Sequence, residues 1–196
     1  MRTRQVVALI GALLLSLDAL AAQYGRTTQG ASWTTVEQRY QGRLITLSGT
    51  ETAVKISAYM RSVGTATGGC KAALYLDSDE SKAYESSELS GFTDTSGGWK
   101  DFTFTSSVAA GSYRLMLICD AVAGGGNTVE VASDTVSSSP TTLFTYAWGI
   151  VGGESWPTIA ADLTGADDGI YTRDVSIYLE TAAAGGTGII IKRRAH

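Results

Sequence analysis

Val54-Lys55-Ile56-Ser57-Ala58-Tyr59-Met60-Arg61 decides the fold class. Val54, Ile56, Ala58 and Met60 face one way and Lys55, Ser57, Tyr59 and Arg61 the other, as in a strand with one buried face. Asp174–Glu180 repeats the period with Val175, Ile177 and Leu179 inward, and Lys100–Thr105 repeats it with Phe102 and Phe104 inward. Further strands are expected at Arg43–Leu47, Cys70–Leu76, Tyr84–Leu89, Tyr113–Cys119, Thr128–Ala132 and Thr142–Trp148. Turn chemistry separates them: Gly68-Gly69, Gly97-Gly98, Gly124-Gly125-Gly126-Asn127, Gly152-Gly153 and Asp167-Asp168-Gly169. With no helical period between strands, the pattern predicts an all-β fold: an antiparallel two-sheet sandwich of jelly-roll type.

The cysteines fix a register. Pairing Cys70 opposite Cys119 sets Ala72 against Leu117, Leu74 against Leu115 and Leu76 against Tyr113. Every pair is apolar on both sides, and a slip of one residue would break all of them. A Cys70–Cys119 disulfide is therefore expected, with two buried free thiols as the alternative.

The first residues set the compartment. Arg2 and Arg4 precede an apolar run from Val6 to Leu17, followed by the small-x-small triplet Ala19-Leu20-Ala21. This reads as a secretory leader over 1–21, the alternatives being a buried N-terminal helix or an uncleaved anchor. The expected protein is secreted, extracellular or at the cell surface, with no membrane insertion once the leader is removed. Residues 22–35 read as a linker or an edge segment, 36–182 as the sandwich, and 183–196 as a Gly-rich link with an apolar and basic tail. Residues 22–191 hold 10 basic against 18 acidic side chains, a balance that repels phosphate backbones and argues against nucleic acid as a partner.

The order of segments resembles the extracellular jelly-roll modules of bacterial and archaeal surface proteins, which are related in shape to carbohydrate-binding modules. The resemblance is carried by "ITLSGTETAVKISAYMRS", "AALYLDSD", "GWKDFTF", "AAGSYRLMLICD", a "WP" loop and a closing "DVSIYLET". It spans roughly residues 36 to 182 and implies a non-catalytic module for surface binding or adhesion, carbohydrate being the ligand class.

The residues support that class independently. The sole histidine, His196, is the last residue, and no Gly-x-Ser-x-Gly elbow occurs, so His-based nucleophilic or general-base chemistry has no carrier. Paired carboxylates among Asp77, Asp79, Glu80, Asp162, Asp167 and Asp168 are the alternative route to an enzyme, a glycoside hydrolase, against the reading of these acids as turn residues. Trp156 before Pro157, and Tyr59 and Tyr178 on the polar phase of their strands, are the candidate ligand-stacking rings. Trp99 and Trp148 are expected to close the ends of the sandwich. No organic cofactor is expected. Asp77, Asp79, Asp167 and Asp168 offer oxygen ligands suited to structural calcium, with solvated turn acids as the alternative. Ile189, Ile190 and Ile191, followed by Lys192, Arg193 and Arg194, form either a last edge strand or a segment donated to a neighbour. The expected partner is thus a glycan or cell-surface polymer, or copies of the chain itself as a filament, coat or virion subunit.

Overall fold

The computed structural model describes residues 21–36, 39–64, 69–79, 81–91, 93–119, 128–136, 143–147 and 173–182. These form twelve strands: β1 Gln23–Gly25, β2 Ser32–Thr35, β3 Arg39–Leu47, β4 Glu51–Val63, β5 Cys70–Leu76, β6 Lys82–Glu85, β7 Gly98–Val108, β8 Gly111–Cys119, β9 Thr128–Thr135, β10 Leu143–Ala147, β11 Arg173–Val175 and β12 Ile177–Thr181. Two antiparallel sheets result, one of seven strands and one of five, the latter ordered β10-β3-β8-β5-β6. No helix of the described residues is long and apolar enough to cross a membrane.

The pairing is that of a jelly roll. Counting β2 to β9 as eight strands, first pairs with last, second with seventh, third with sixth and fourth with fifth. The remaining contacts, β4 with β9 and β5 with β8, knit these pairs into two sheets. The closing strand is therefore β9, whereas the sequence points to the segment around Ile177. The expected strand Thr128–Ala132 is present but runs on to Thr135, where the small residues Ala132 and Ser133 give little apolar contrast.

β10, β11, β12 and β1 are additions to this frame. β10 lines the outer edge of β3, and β1 pairs with β12, so the segment 22–35 takes the edge-strand form. Asp174–Glu180 is two strands, not one, and Ser176 is the switch. Its N–H donates to Ala132 O (2.8 Å) while its carbonyl accepts from Tyr59 N (3.0 Å). The chain thus leaves β9 and joins β4 within one residue.

The Cys70–Cys119 disulfide is formed, with S–S 2.06 Å. The expected register holds at each level: Ala72 against Leu117, Leu74 against Leu115, Leu76 against Tyr113. The inward set of these strands meets Ile56, Met60, Phe102, Val131, Ile177 and Leu179 in the core. The outward set, Ala73, Tyr75, Met116 and Ile118, is buried as well. β5 and β8 are thus covered on both faces, as continuous apolar runs require. Tyr113 enters the core from a tight turn and donates its hydroxyl hydrogen to Ala109 O (3.0 Å).

One inward residue is displaced. The register of β4 skips Val54 against both β7 and β12, so Ala53, fully buried, takes the inward position and Val54 is only half-buried. A one-residue bulge explains the shift, since it reverses phase on one side of itself only. The expected strand Tyr84–Leu89 is shorter, ending at Glu85. Beyond it Ala72 N donates to Ser86 Oγ (3.0 Å), and Leu89 returns to bridge Cys70.

Replacing Cys70 and Cys119 together with Ser opens a loop of separation 49 and costs about 4 kcal/mol in the loop-entropy picture. The melting temperature should fall by roughly 8–16 °C. An unchanged thermal melt would remove the disulfide from the forces that hold this fold.

Candidate functional site

The outer face of the seven-stranded sheet carries a row of aromatic side chains. Phase places Tyr59 outward because its neighbours Ala58 and Met60 are fully buried. Trp99 stands directly opposite Tyr59 on β7. Trp33 stands opposite Ala132 on β2, and Tyr178 opposite Ser57 on β12. Four rings from four strands thereby form one file: Trp33 to Tyr59 at 5.9 Å, Tyr59 to Trp99 at 5.4 Å, Trp99 to Tyr178 at 5.0 Å. The last two contacts are edge-to-face, at 87° and 67°, an arrangement the ring quadrupoles favour.

The rings differ in access. Tyr178 retains 8% exposure, so it supports Trp99 from beneath and is not an open stacking surface. Trp33, Tyr59 and Trp99 are each half-buried. Trp99, expected to close an end of the sandwich, sits on the sheet face, because β7 already begins at Gly98 and pairs Trp99 with the outward Tyr59. Gly97 has φ +87°, and a Cβ there would lie 2.7 Å from Trp33 Cη2 and 3.3 Å from Tyr59 Cε1. Only glycine lets this loop pass so close to the rings.

Paired charges frame the file. The Arg61 guanidinium lies 4.3 Å from the Trp33 ring centroid and donates from Nε to Glu130 Oε2 (2.7 Å). Asp101 accepts from Ser57 Oγ (2.6 Å) and Lys55 Nζ (3.0 Å), and Lys55 also faces Glu180 at 3.6 Å. Burial pushes the Asp101 carboxyl up, but the Ser57 and Lys55 hydrogen bonds outweigh it and hold the group below its usual range. Asp94, bound by Lys100 Nζ (2.8 Å) and Ser96 N (3.0 Å), is also held low, Lys100 being the larger cause. The face thus offers apolar rings beside fixed donors and acceptors.

The other expected sites fare differently. Asp77 accepts from Arg114 Nε (2.9 Å), and Asp79 from Ser81 N (3.0 Å) and Ser81 Oγ (2.7 Å). Those Ser81 bonds, backbone first, lower the Asp79 carboxyl. Asp79 thus fixes its own turn and Asp77 pairs across to β8, and among the described residues no cluster of three or more His, Cys, Asp or Glu could hold a metal ion. Trp148, Trp156, Asp167, Asp168 and the tail from Ile189 through Ile190, Ile191, Lys192 and Arg193 to Arg194 lie outside the described residues, as do residues 1–20 of the expected leader.

No protein-family model matches the chain, and no curated protein matches it either.

Two outcomes follow from this geometry. Gly97→Ala should destabilise the protein by about 1–3 kcal/mol and change its tryptophan fluorescence, since the added methyl meets Trp33. An unperturbed spectrum would mean that the loop does not rest on the rings. Because the Asp101 pKa is depressed on folding, its contribution is present above about pH 4 and is lost as pH falls through the folded value. Asp101→Asn should flatten the acid limb of melting temperature against pH. A limb as steep as the parent's would assign acid sensitivity elsewhere.

Proposed function

We propose that the protein is a secreted, non-catalytic β-sandwich module that binds a glycan of a cell surface or extracellular polymer through the outer face of its seven-stranded sheet. The observation that carries this reading is the half-exposed file Trp33, Tyr59 and Trp99, bordered by Arg61, Glu130, Lys55 and Asp101. A sugar presents C–H groups on its ring faces and hydroxyls at its rim. Aromatic rings meet the first, and fixed acid–base pairs, each able to give and take hydrogen bonds, meet the second. The disulfide suits an oxidising compartment. The acidic body favours neutral over polyanionic glycans.

The resemblance to surface jelly-roll modules supports the same class, and the eight-strand closure fits it. Binding in this reading uses the sheet face and does not require Trp156.

A glycan array, followed by titration calorimetry on any neutral oligosaccharide retained, checks the proposal. Trp99→Ala and Trp33→Ala should each weaken binding by at least tenfold, roughly the loss of one stacked ring. Trp156→Ala serves as the comparison. Retention of no glycan, or affinity unchanged in both ring variants, would refute this reading.

A further inference from the structure

The inner face of β3 departs from the apolar rule that β5 and β8 obey. Gln41 and Arg43 stand opposite Leu117 and Leu115, both core residues, so the two polar side chains point between the sheets. Gln41 is 2% exposed, and its Nε2 donates to Thr35 O (3.0 Å) and at longer range to Thr34 Oγ1 (3.5 Å). Arg43 Nη1 pairs with Asp174 Oδ1 at 3.1 Å. On the facing sheet Thr34 is registered with Val131 and Asp174 with Asp134. Ser133 lies between those two anchor points, in the inward phase of Val131, and is fully buried.

Three atoms of this corner, Gln41 Oε1, Arg43 Nε and Ser133 Oγ, are buried and have no hydrogen-bond partner among the described residues. They form a complementary set. The amide oxygen only accepts, the guanidinium N–H only donates, and the hydroxyl does either. Charge is balanced around them, since Arg26 and Arg43 meet Asp134 and Asp174 in one network. An ion of either sign would upset that balance, so the species that fits is small, neutral, and both donor and acceptor.

We propose that this corner is an internal water site joining the two sheets. The water accepts from Arg43 Nε, donates to Gln41 Oε1 and completes its shell at Ser133 Oγ, the usual three partners of a buried water. The site is independent of the glycan-binding face on the other side of the same sheet.

A crystal structure at high resolution, with oxygen-17 magnetic relaxation dispersion in solution, tests the proposal. The expected result is one ordered oxygen within about 3.2 Å of all three atoms, and one long-lived water that disappears in both Gln41→Met and Ser133→Ala. Ser133→Ala removes a single oxygen, so it should keep the fold should Gln41→Met lose it. Direct bonding of the three atoms to other protein groups, a dry corner, a larger molecule in its place, or a long-lived water count unchanged by Ser133→Ala would each overturn it.

Discussion

The antiparallel pairing of β5 with β8 is the constraint on which the rest of the structure depends. Cys70 and Cys119 lock its register covalently, and each inward-facing level after them, Ala72 with Leu117, Leu74 with Leu115 and Leu76 with Tyr113, is apolar against apolar. A slip of β5 by one residue would turn Ala72 and Leu74 away from the core and put Lys71, Ala73 and Tyr75 in their place. Because β8 also registers β3, and β3 follows β2 after a short connection, this pair positions the first half of both sheets. The jelly-roll order then leaves one arrangement for β4, β7 and β9.

That arrangement brings the outer aromatic file together. Trp33 and Tyr178 belong to strands far apart in the chain, yet β12 pairs with β4 directly and β2 reaches it through β9. Gly30 shows how tightly the crossing chain lies. A Cβ at Gly30 would stand 2.6 Å from Ser133 Cα, while its N–H donates to Ser176 Oγ at 2.9 Å. Residues 26–31 therefore run against the switch point of β11 and β12 and deliver β2, with Trp33, to the far edge of β9. Tyr59 and Tyr178 stand on strands paired on both sides, β4 and β12, whereas Trp33 and Trp99 stand on β2 and β7, each paired on one side among the described residues.

Much of the sandwich was legible in the sequence because its strands alternate strictly where one face is wet. Ile56, Ala58, Met60, Phe102, Val175, Ile177 and Leu179 all lie inward as their period demands. The misreadings have physical causes. A bulge at Val54 is invisible to a periodic pattern that happens to remain apolar on both sides of it. The closing role of β9 was hidden by its small residues. The run Leu115-Met116-Leu117-Ile118-Cys119 did carry a signal of two-sided burial, and alternation alone missed it. Of the site, Tyr59 and Tyr178 were readable as outward by phase. Trp99 covering Tyr178, and Trp33 lying beside Tyr59, were not, since both follow from pairings between strands distant in sequence.

The two flanks of the sandwich interior are built on different principles. On the β6–β7 side, Tyr84 stacks on Phe104 at 6.1 Å and donates to Ser107 O (2.6 Å), so rings seal that seam. On the β3 side, Arg43 and Arg26 meet Asp174 and Asp134, so charges seal it. An apolar seam gains from burial whatever its exact geometry, whereas a polar seam holds only where each group finds its partner. The polar flank is also where β1, β10, β11 and β12 join the eight-strand frame. Directional bonds suit that place, because they specify which added strand goes where, and the non-directional core cannot.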